Sequence, residues 1–149
     1  MAFPEFNENG DLPVYIYKAT LSEVLAHFGK GSLQRQVVAK RLVKIYWLVK
    51  STNHLERFII YGSFVTAKPN PDDVDIFLVM DDDFEKDSFS GDVRRVFDHL
   101  ETEKKLGASI FWSRTQFILG NIQLFVEDWQ IKDDKTRRGI VEVIENDKE

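Results

Sequence analysis

Two short apolar runs, joined by a glycine-serine turn and a proline-marked loop, constrain this sequence more than any other feature. The first run, 58–61, ends at Gly62-Ser63, and the second spans 73–80. A short unbroken apolar run that ends at glycine is typical of a strand covered on both faces. Side chains alternate along a strand, so Asp75 falls on a face that is otherwise mainly apolar. The sequence predicts two buried strands, the first of them central, with carboxylates where the second begins.

These carboxylates need a compensating partner, because burying a charge at the mouth of a strand costs free energy. Residues two apart on a strand point the same way, with Cα atoms roughly 6.5 to 7 Å apart, so Asp73 and Asp75 can converge on one cation or a close pair. Gly62 lets the backbone pass close to a ligand, and Ser63 offers a hydroxyl and an N–H to an anion. Lys68 is close enough in sequence to Ser63 to contact the same phosphate. The pattern predicts magnesium bound together with a nucleoside triphosphate.

The stretch 57–80 resembles the signature of the DNA polymerase beta-like nucleotidyltransferase superfamily, especially its small stand-alone prokaryotic members. The resemblance rests on Gly62-Ser63, nine intervening residues and then Asp73-Val74-Asp75-Ile76. It implies an α+β fold, a nucleotidyltransferase-like mixed β-sheet with helices packed mainly on one face. It also implies that Asp73 and Asp75 hold magnesium for catalysis, while Gly62 and Ser63 position the phosphates. An acceptor hydroxyl would attack the α-phosphate of an NTP, and pyrophosphate would leave.

The sequence departs from the family pattern at a third carboxylate, which the family normally supplies on a later strand. The strand expected to carry it is 108–112, where Ser109 holds the corresponding position. A neutral hydroxyl replaces a carboxylate neither as a base nor as a strong magnesium ligand. Glu127 and Asp128 are the substitutes we consider. Activity is therefore left open by the resemblance, because a fold does not fix a function.

Capping and periodicity predict the remaining elements. Thr20-Leu21-Ser22-Glu23 is typical of a capping box that starts a helix ending near Gly29, and apolar residues at helical spacing follow Ser32. The predicted elements are helices over 21–28, 33–50 and 92–105, a strand over 108–112, a hairpin of 117–119 with 122–126 around Gly120-Asn121, and a last strand over 138–144. We expect one domain over 1–149, with an irregular segment at 1–13 and a frayed tail at 145–149.

Composition narrows the class of protein. The net charge of -5 argues against general nucleic-acid binding, which depends on many Lys and Arg contacts to phosphate. Cysteine is absent, so we expect any metal to be bound by oxygen, and a reducing cytoplasm is compatible with this composition. No apolar run approaches the roughly 20 residues that span a bilayer. We expect a cytoplasmic protein without a membrane segment.

Three functions fit these observations. The first is a magnesium-dependent nucleotidyltransferase that moves a nucleotidyl group from an NTP to a hydroxyl on a protein, an RNA or a small molecule. The second is a catalytically degenerate nucleotidyltransferase-like module that works by binding a partner protein, for example as one half of a toxin-antitoxin pair. In the third, Asp73 and Asp75 form only a polar turn at the start of a strand.

Overall fold

A five-stranded mixed β-sheet is the centre of the computed structural model, which describes residues 3–118 and 121–145. Its strands are β1 (Ile16–Thr20), β2 (Leu55–Tyr61), β3 (Val74–Met80), β4 (Ala108–Arg114) and β5 (Ile140–Ile144). They lie in the order β1-β5-β2-β3-β4. The outer pairs, β1 with β5 and β3 with β4, are parallel, while β2 runs antiparallel to both of its neighbours. The prediction of an α+β fold with β2 at the centre is confirmed.

Five helices accompany the sheet in the described part of the chain. They are α1 (Leu21–Phe28), α2 (Leu33–Lys50), α3 (Gly91–Val96), α4 (His99–Glu101), which continues as a π-helical turn (Thr102–Leu106), and α5 (Ile122–Glu127). The capping box of α1 is present, since Glu23 N–H donates to Thr20 Oγ1 and Thr20 N–H donates to Glu23 Oε1. Ser32 caps α2 by accepting from Arg35 N–H. Both predicted helices are therefore confirmed.

The two faces of the sheet are covered unequally. One face of β3 packs against the apolar sides of α1 and α2 in a single core that also takes up residues of α3 and of the π-helical turn. The opposite face carries a smaller core, in which Ile59, Phe77 and Val79 contact Ile118 and Val126. Thus most of the described helices lie on one face, while the six-residue α5, together with Ile118 and Trp129, covers the other.

Two sequence predictions are wrong. The helix predicted over 92–105 breaks after α3, because Phe97 turns into the core and Asp98 Oδ1 accepts from Glu101 N–H to cap a new helix. The hairpin around Gly120-Asn121 is not formed. Residues 122–127 are helical because the Asn121 side chain accepts from Gln123 N–H as an N-cap. Residues 119 and 120 lie outside the described residues, as do 146–149 of the predicted tail.

The N-terminal part contains one element that the sequence did not predict, the strand β1. It pairs with β5 from Ile16 opposite Ile140 to Thr20 opposite Ile144. Residues 3–15 form no helix or strand, as expected, yet Asp11 and Leu12 are buried. Residues 1 and 2 of the predicted irregular segment lie outside the described residues. The last strand begins at Ile140 rather than at residue 138. This irregular segment therefore packs against the fold instead of projecting from it.

Candidate functional site

Gly62 forms the turn where β2 ends. Its backbone lies at φ +78° and ψ -163°, a region that essentially only glycine adopts. A Cβ atom added at this position would lie 2.0 Å from Oδ2 of Asp75. The carboxylate of Asp75 thus rests directly against the Gly62 backbone, and a short 3-10 turn (Ser63–Val65) follows. Glycine is required here for both its conformation and its lack of a side chain.

Arg35 of α2 fixes the loop that follows this turn. Its guanidinium is buried and donates hydrogen bonds to the carbonyl oxygens of Phe28, Phe64, Thr66 and Lys68, at distances from 2.6 to 3.1 Å. The first turn of α2 adds two more contacts to the same loop, from Ser32 Oγ to Pro69 O and from Gln34 Nε2 to Pro71 O. Side chains at the start of α2 therefore fix the loop between the two motif strands by donating hydrogen bonds to its backbone carbonyl oxygens.

Asp75 is a half-buried carboxylate without a hydrogen-bond donor among the described residues. Burial raises its pKa to about 6, and the neighbouring charge of Asp73 adds to that increase, while Arg138 opposes it. On β2, opposite Asp75, burial and the same two carboxylates raise the pKa of Tyr61 as well. A half-buried carboxylate without a donor is a favourable ligand for a cation, because the cation would offset the desolvation free energy of the ionised form.

Asp73, the residue before β3, lines a different cavity. Burial raises its pKa, the charges of Asp72 and Glu103 add to the increase, and Arg41 and Lys68 oppose it. This space, which we call the Asp73 cavity, has a volume of about 710 Å³. The charged residues that line it are Asp73, Arg41, Lys44, Asp72, Glu103, Lys104 and Lys105. The two acids of the motif therefore face neighbouring cavities, although their charges still interact.

The cleft beside Asp75 contains cations that come from the other end of the chain. One part of it, of about 470 Å³, is lined by Gly62, Asp75 and Trp129, and the adjoining part is lined by Ser63 and Lys68. Lys132 and Arg138 line both parts, so we treat them as one Asp75 cleft. The structure thus brings the predicted residues Gly62, Ser63, Lys68 and Asp75 together around two cations.

A single buried carboxylate holds these two cations. Asp11 Oδ2 accepts from Lys132 Nζ at 2.7 Å, and Asp11 Oδ1 accepts from Arg138 at 3.3 Å. Trp129 closes one side of the cleft, with its ring 4.8 Å from that of Tyr61 and 4.6 Å from that of Phe77. Since Asp11 is buried, the head groups of Lys132 and Arg138 are fixed at the cleft wall.

A family model covers residues 4–144 of the sequence. The chain belongs to the DUF6932 family, a family of unknown function. Neither a curated protein nor a solved structure matches it significantly. Membership of the DUF6932 family therefore assigns no function to this chain. In addition, no helix within 3–118 and 121–145 has the length and apolar character needed to cross a membrane.

The position expected for the third acid lies beside Asp75, whereas its two considered substitutes do not. Ser109 pairs in register with Asp75 on the adjacent parallel strand, so both side chains point to the same face of the sheet. Glu127 and Asp128 line a separate cavity with Arg137, away from Asp75. The acids that line the Asp75 cleft, besides Asp75 itself, are Glu8, Asp11, Asp133 and Asp134. Among the described residues of this DUF6932 chain, no group of three candidate metal ligands occurs.

Magnesium nevertheless suits the donors that are present. It usually keeps several waters and is bound through one or two carboxylates together with substrate phosphates. Asp75 would supply one carboxylate in a cleft that Lys132 and Arg138 also line, and Asp73 would supply a second from the neighbouring cavity. The sequence contained no signal for Asp11, Trp129, Lys132 or Arg138, since each lies far along the chain from the two acids.

Proposed function

We propose that this chain is a cytoplasmic, magnesium-dependent nucleotidyltransferase that moves a nucleotidyl group from an NTP to an acceptor hydroxyl. The observation that carries the proposal is the placement of Asp75 against the Gly62 turn, in a cleft that also presents Ser63, Lys132 and Arg138. Carboxylates beside a set of fixed phosphate-binding cations are the arrangement that a metal-bound triphosphate needs.

In this proposal each group has a distinct task. Lys132, Arg138 and Lys68 bind the phosphate oxygens, and Ser63 contributes its hydroxyl and N–H to them. The Gly62 turn lets the phosphates approach the backbone closely. Magnesium, when held by Asp73 and Asp75, supplies charge stabilisation for an in-line displacement. The acceptor oxygen forms a bond to the α-phosphorus, the bond to pyrophosphate breaks, and the hydroxyl proton passes to a carboxylate or to water.

Nucleotide binding is the direct test. Thermal unfolding of the wild type is followed with ATP, GTP, CTP and UTP, with and without magnesium, beside the double variant Asp73→Asn/Asp75→Asn. A ligand at 100 times its Kd stabilises a fold by about 2.7 kcal/mol, so binding raises the Tm measurably. We expect a magnesium-dependent increase that the double variant lacks. No increase with any nucleotide would overturn the proposal.

Tryptophan fluorescence locates the nucleotide. Because Trp129 lines the Asp75 cleft, a bound nucleotide should change its emission. The matched control is Trp129→Phe, which keeps an aromatic ring but removes that signal, whereas Trp47 and Trp112 remain in both proteins. A fluorescence change that persists unaltered in Trp129→Phe would place the nucleotide elsewhere.

The pairing of Ser109 with Asp75 favours a second candidate, a catalytically degenerate module that binds nucleotide or a partner protein, such as one half of a toxin-antitoxin pair. In that case the wild type would bind NTP without releasing pyrophosphate in the presence of cell extract as acceptor source. Pyrophosphate release that depends on Asp75 would exclude this candidate.

A further inference from the structure

We propose that the Asp73 cavity binds the acceptor, and that this acceptor is a small hydroxyl compound carrying a phosphate group. The inference rests on the proposed function, since it names the second substrate of the same site. The first observation is position. Asp73 lines this cavity and Asp75 lines the neighbouring cleft, so a molecule in the cavity lies next to the proposed reaction centre.

The second observation is a fixed arginine with spare donors. The guanidinium of Arg41 lies against Gly107, where an added Cβ would be 2.7 Å from its Nε and 2.8 Å from its Cζ. Its hydrogen bonds, to Asp72 O and Gly107 O, are both 3.4 Å long. Within the described ranges no carboxylate pairs with Arg41. A guanidinium has five N–H donors, so most of them are available to a ligand.

The third observation is charge and size. Lys104 and Lys105 also line the cavity, and neither forms an ion pair with any described residue. Together with Arg41 they offer three positive charges to a phosphate monoester, which carries about -1.5 to -2 at pH 7, while three carboxylates, those of Asp72, Asp73 and Glu103, line the same cavity. A volume of about 710 Å³ lies within the range of small-molecule sites. The net charge of -5 disfavours a long nucleic acid as the ligand.

The carboxylates of the cavity suit the hydroxyl end of the ligand. Arg41 and the two lysines attract the phosphate, whereas Asp72, Asp73 and Glu103 in the same lining repel it. Hydroxyl groups, unlike phosphate, are compatible with a carboxylate because they donate hydrogen bonds to it. Asp73 is therefore a partner for the acceptor hydroxyl, and it is the lining residue nearest in sequence to Asp75 of the neighbouring cleft.

The test titrates ¹⁵N-labelled protein with ribose 5-phosphate and, separately, with ribose, in the presence of magnesium and ATP. We expect ribose 5-phosphate to shift the amide signals of Gly107 and Ala108 saturably, and ribose to bind at least tenfold more weakly. Arg41→Gln should weaken ribose 5-phosphate at least tenfold, whereas Lys40→Gln should change it less than twofold. The Lys40 control removes one exposed charge from the same helix without altering the cavity.

The outcomes separate this inference from the proposed function. If ATP binds but Arg41→Gln leaves ribose 5-phosphate binding unchanged, or ribose binds equally well, the inference fails and the nucleotidyltransferase proposal stands. If ATP does not bind, the proposed function fails by itself. A short RNA that shifts the same amides at lower concentration than ribose 5-phosphate would overturn the choice of a small acceptor. Should Arg41→Gln unfold, the double variant Lys104→Gln/Lys105→Gln repeats the test on exposed side chains.

Discussion

Replacing Asp75 by asparagine should stabilise the metal-free protein at neutral pH, although the change removes a residue of the proposed site. The reason is that the Asp75 carboxylate is held in a half-buried position without a donor among the described residues, next to a second carboxylate. Asparagine has nearly the same shape but no charge, so the cost of desolvating the ionised form disappears. Residues placed for function commonly reduce stability in this way.

The size of the effect follows from the pKa. The pKa of Asp75 is about 6 in the folded protein instead of the ordinary 3.8, a difference of about 2. A pKa difference of 1 corresponds to about 1.4 kcal/mol, so a difference of about 2 corresponds to about 3 kcal/mol of destabilisation. Partial solvent exposure of Asp75 reduces this cost to roughly 1.5 kcal/mol. Because the folded state binds the proton more tightly, the wild type loses this stability as pH rises from about 4 to 6. The asparagine variant loses none, so the difference between the two proteins grows over that window.

Urea unfolding at pH 4 and pH 7.5, with EDTA present, measures this difference. We expect the two proteins to be nearly equal at pH 4 and Asp75→Asn to be more stable by about 1.5 kcal/mol at pH 7.5. Asp83→Asn, an exposed acid in the loop after β3, serves as the control and should stay within about 0.5 kcal/mol at both pH values. A variant less stable than the wild type at pH 7.5, or a difference independent of pH, would refute the reasoning.

Substitutions at three further positions test the parts of the site separately. Gly62→Ala should destabilise the fold by about 2 to 3 kcal/mol in urea, because alanine is strained at φ +78° and its Cβ displaces Asp75. Arg35→Met should cost about 3 kcal/mol or more and Arg35→Lys less, since methionine leaves three loop carbonyls and that of Phe28 in α1 without their donor. Ser109→Asp should lower the stability of the metal-free protein by about 1 kcal/mol at pH 7.5 while tightening magnesium binding about tenfold in calorimetry, because it places a carboxylate beside Asp75. A Ser109→Asp protein with unchanged magnesium affinity would contradict the placement of that third acid.

Local signals were sufficient for the parts of the fold that the sequence predicted. The strands β2 and β3 are marked by apolar runs between breaks, and α1 is marked by the capping box of Thr20 and Glu23. The two wrong predictions, the helix over 92–105 and the hairpin around Gly120-Asn121, arose where one polar side chain decides between two local structures. Asn121 next to glycine is typical of a turn, yet it caps α5, and Asp98 inside an apolar periodicity starts a new helix. Whether such a residue forms a turn or caps a helix depends on which flanking side chains become buried. That burial is set by the tertiary structure and not by the local sequence.

The residues of the candidate site also fall into two groups, those that the sequence could predict and those that it could not. Gly62 and Asp75 could be predicted because both belong to one short stretch. Lys132 and Arg138 could not, since their position in the cleft requires the segment before β5 to pass beside the end of β2. Asp11 depends on the packing of an N-terminal segment without regular structure, for which no periodicity exists to be recognised. Long-range ion pairs of this kind follow from topology, and topology is not encoded in spacing.

The two cavities lined by the acids of the motif bear on the choice between enzyme and binding module. A module that only binds a nucleotide needs one cleft, and the Asp75 cleft with its cations would be sufficient for that. Nucleotide binding alone gives no reason for Asp73 to line a second cavity. In that cavity Arg41 is held against Gly107 with most of its donors available. A transfer reaction does give one, because donor and acceptor must reach the same metal from different directions. The absence of an acid at Ser109 weakens the case for fast chemistry, whereas the paired cavities favour two substrates. If Ser109→Asp increases pyrophosphate release in the presence of a phosphorylated hydroxyl compound, both observations are explained by one slow transferase with an incomplete metal site.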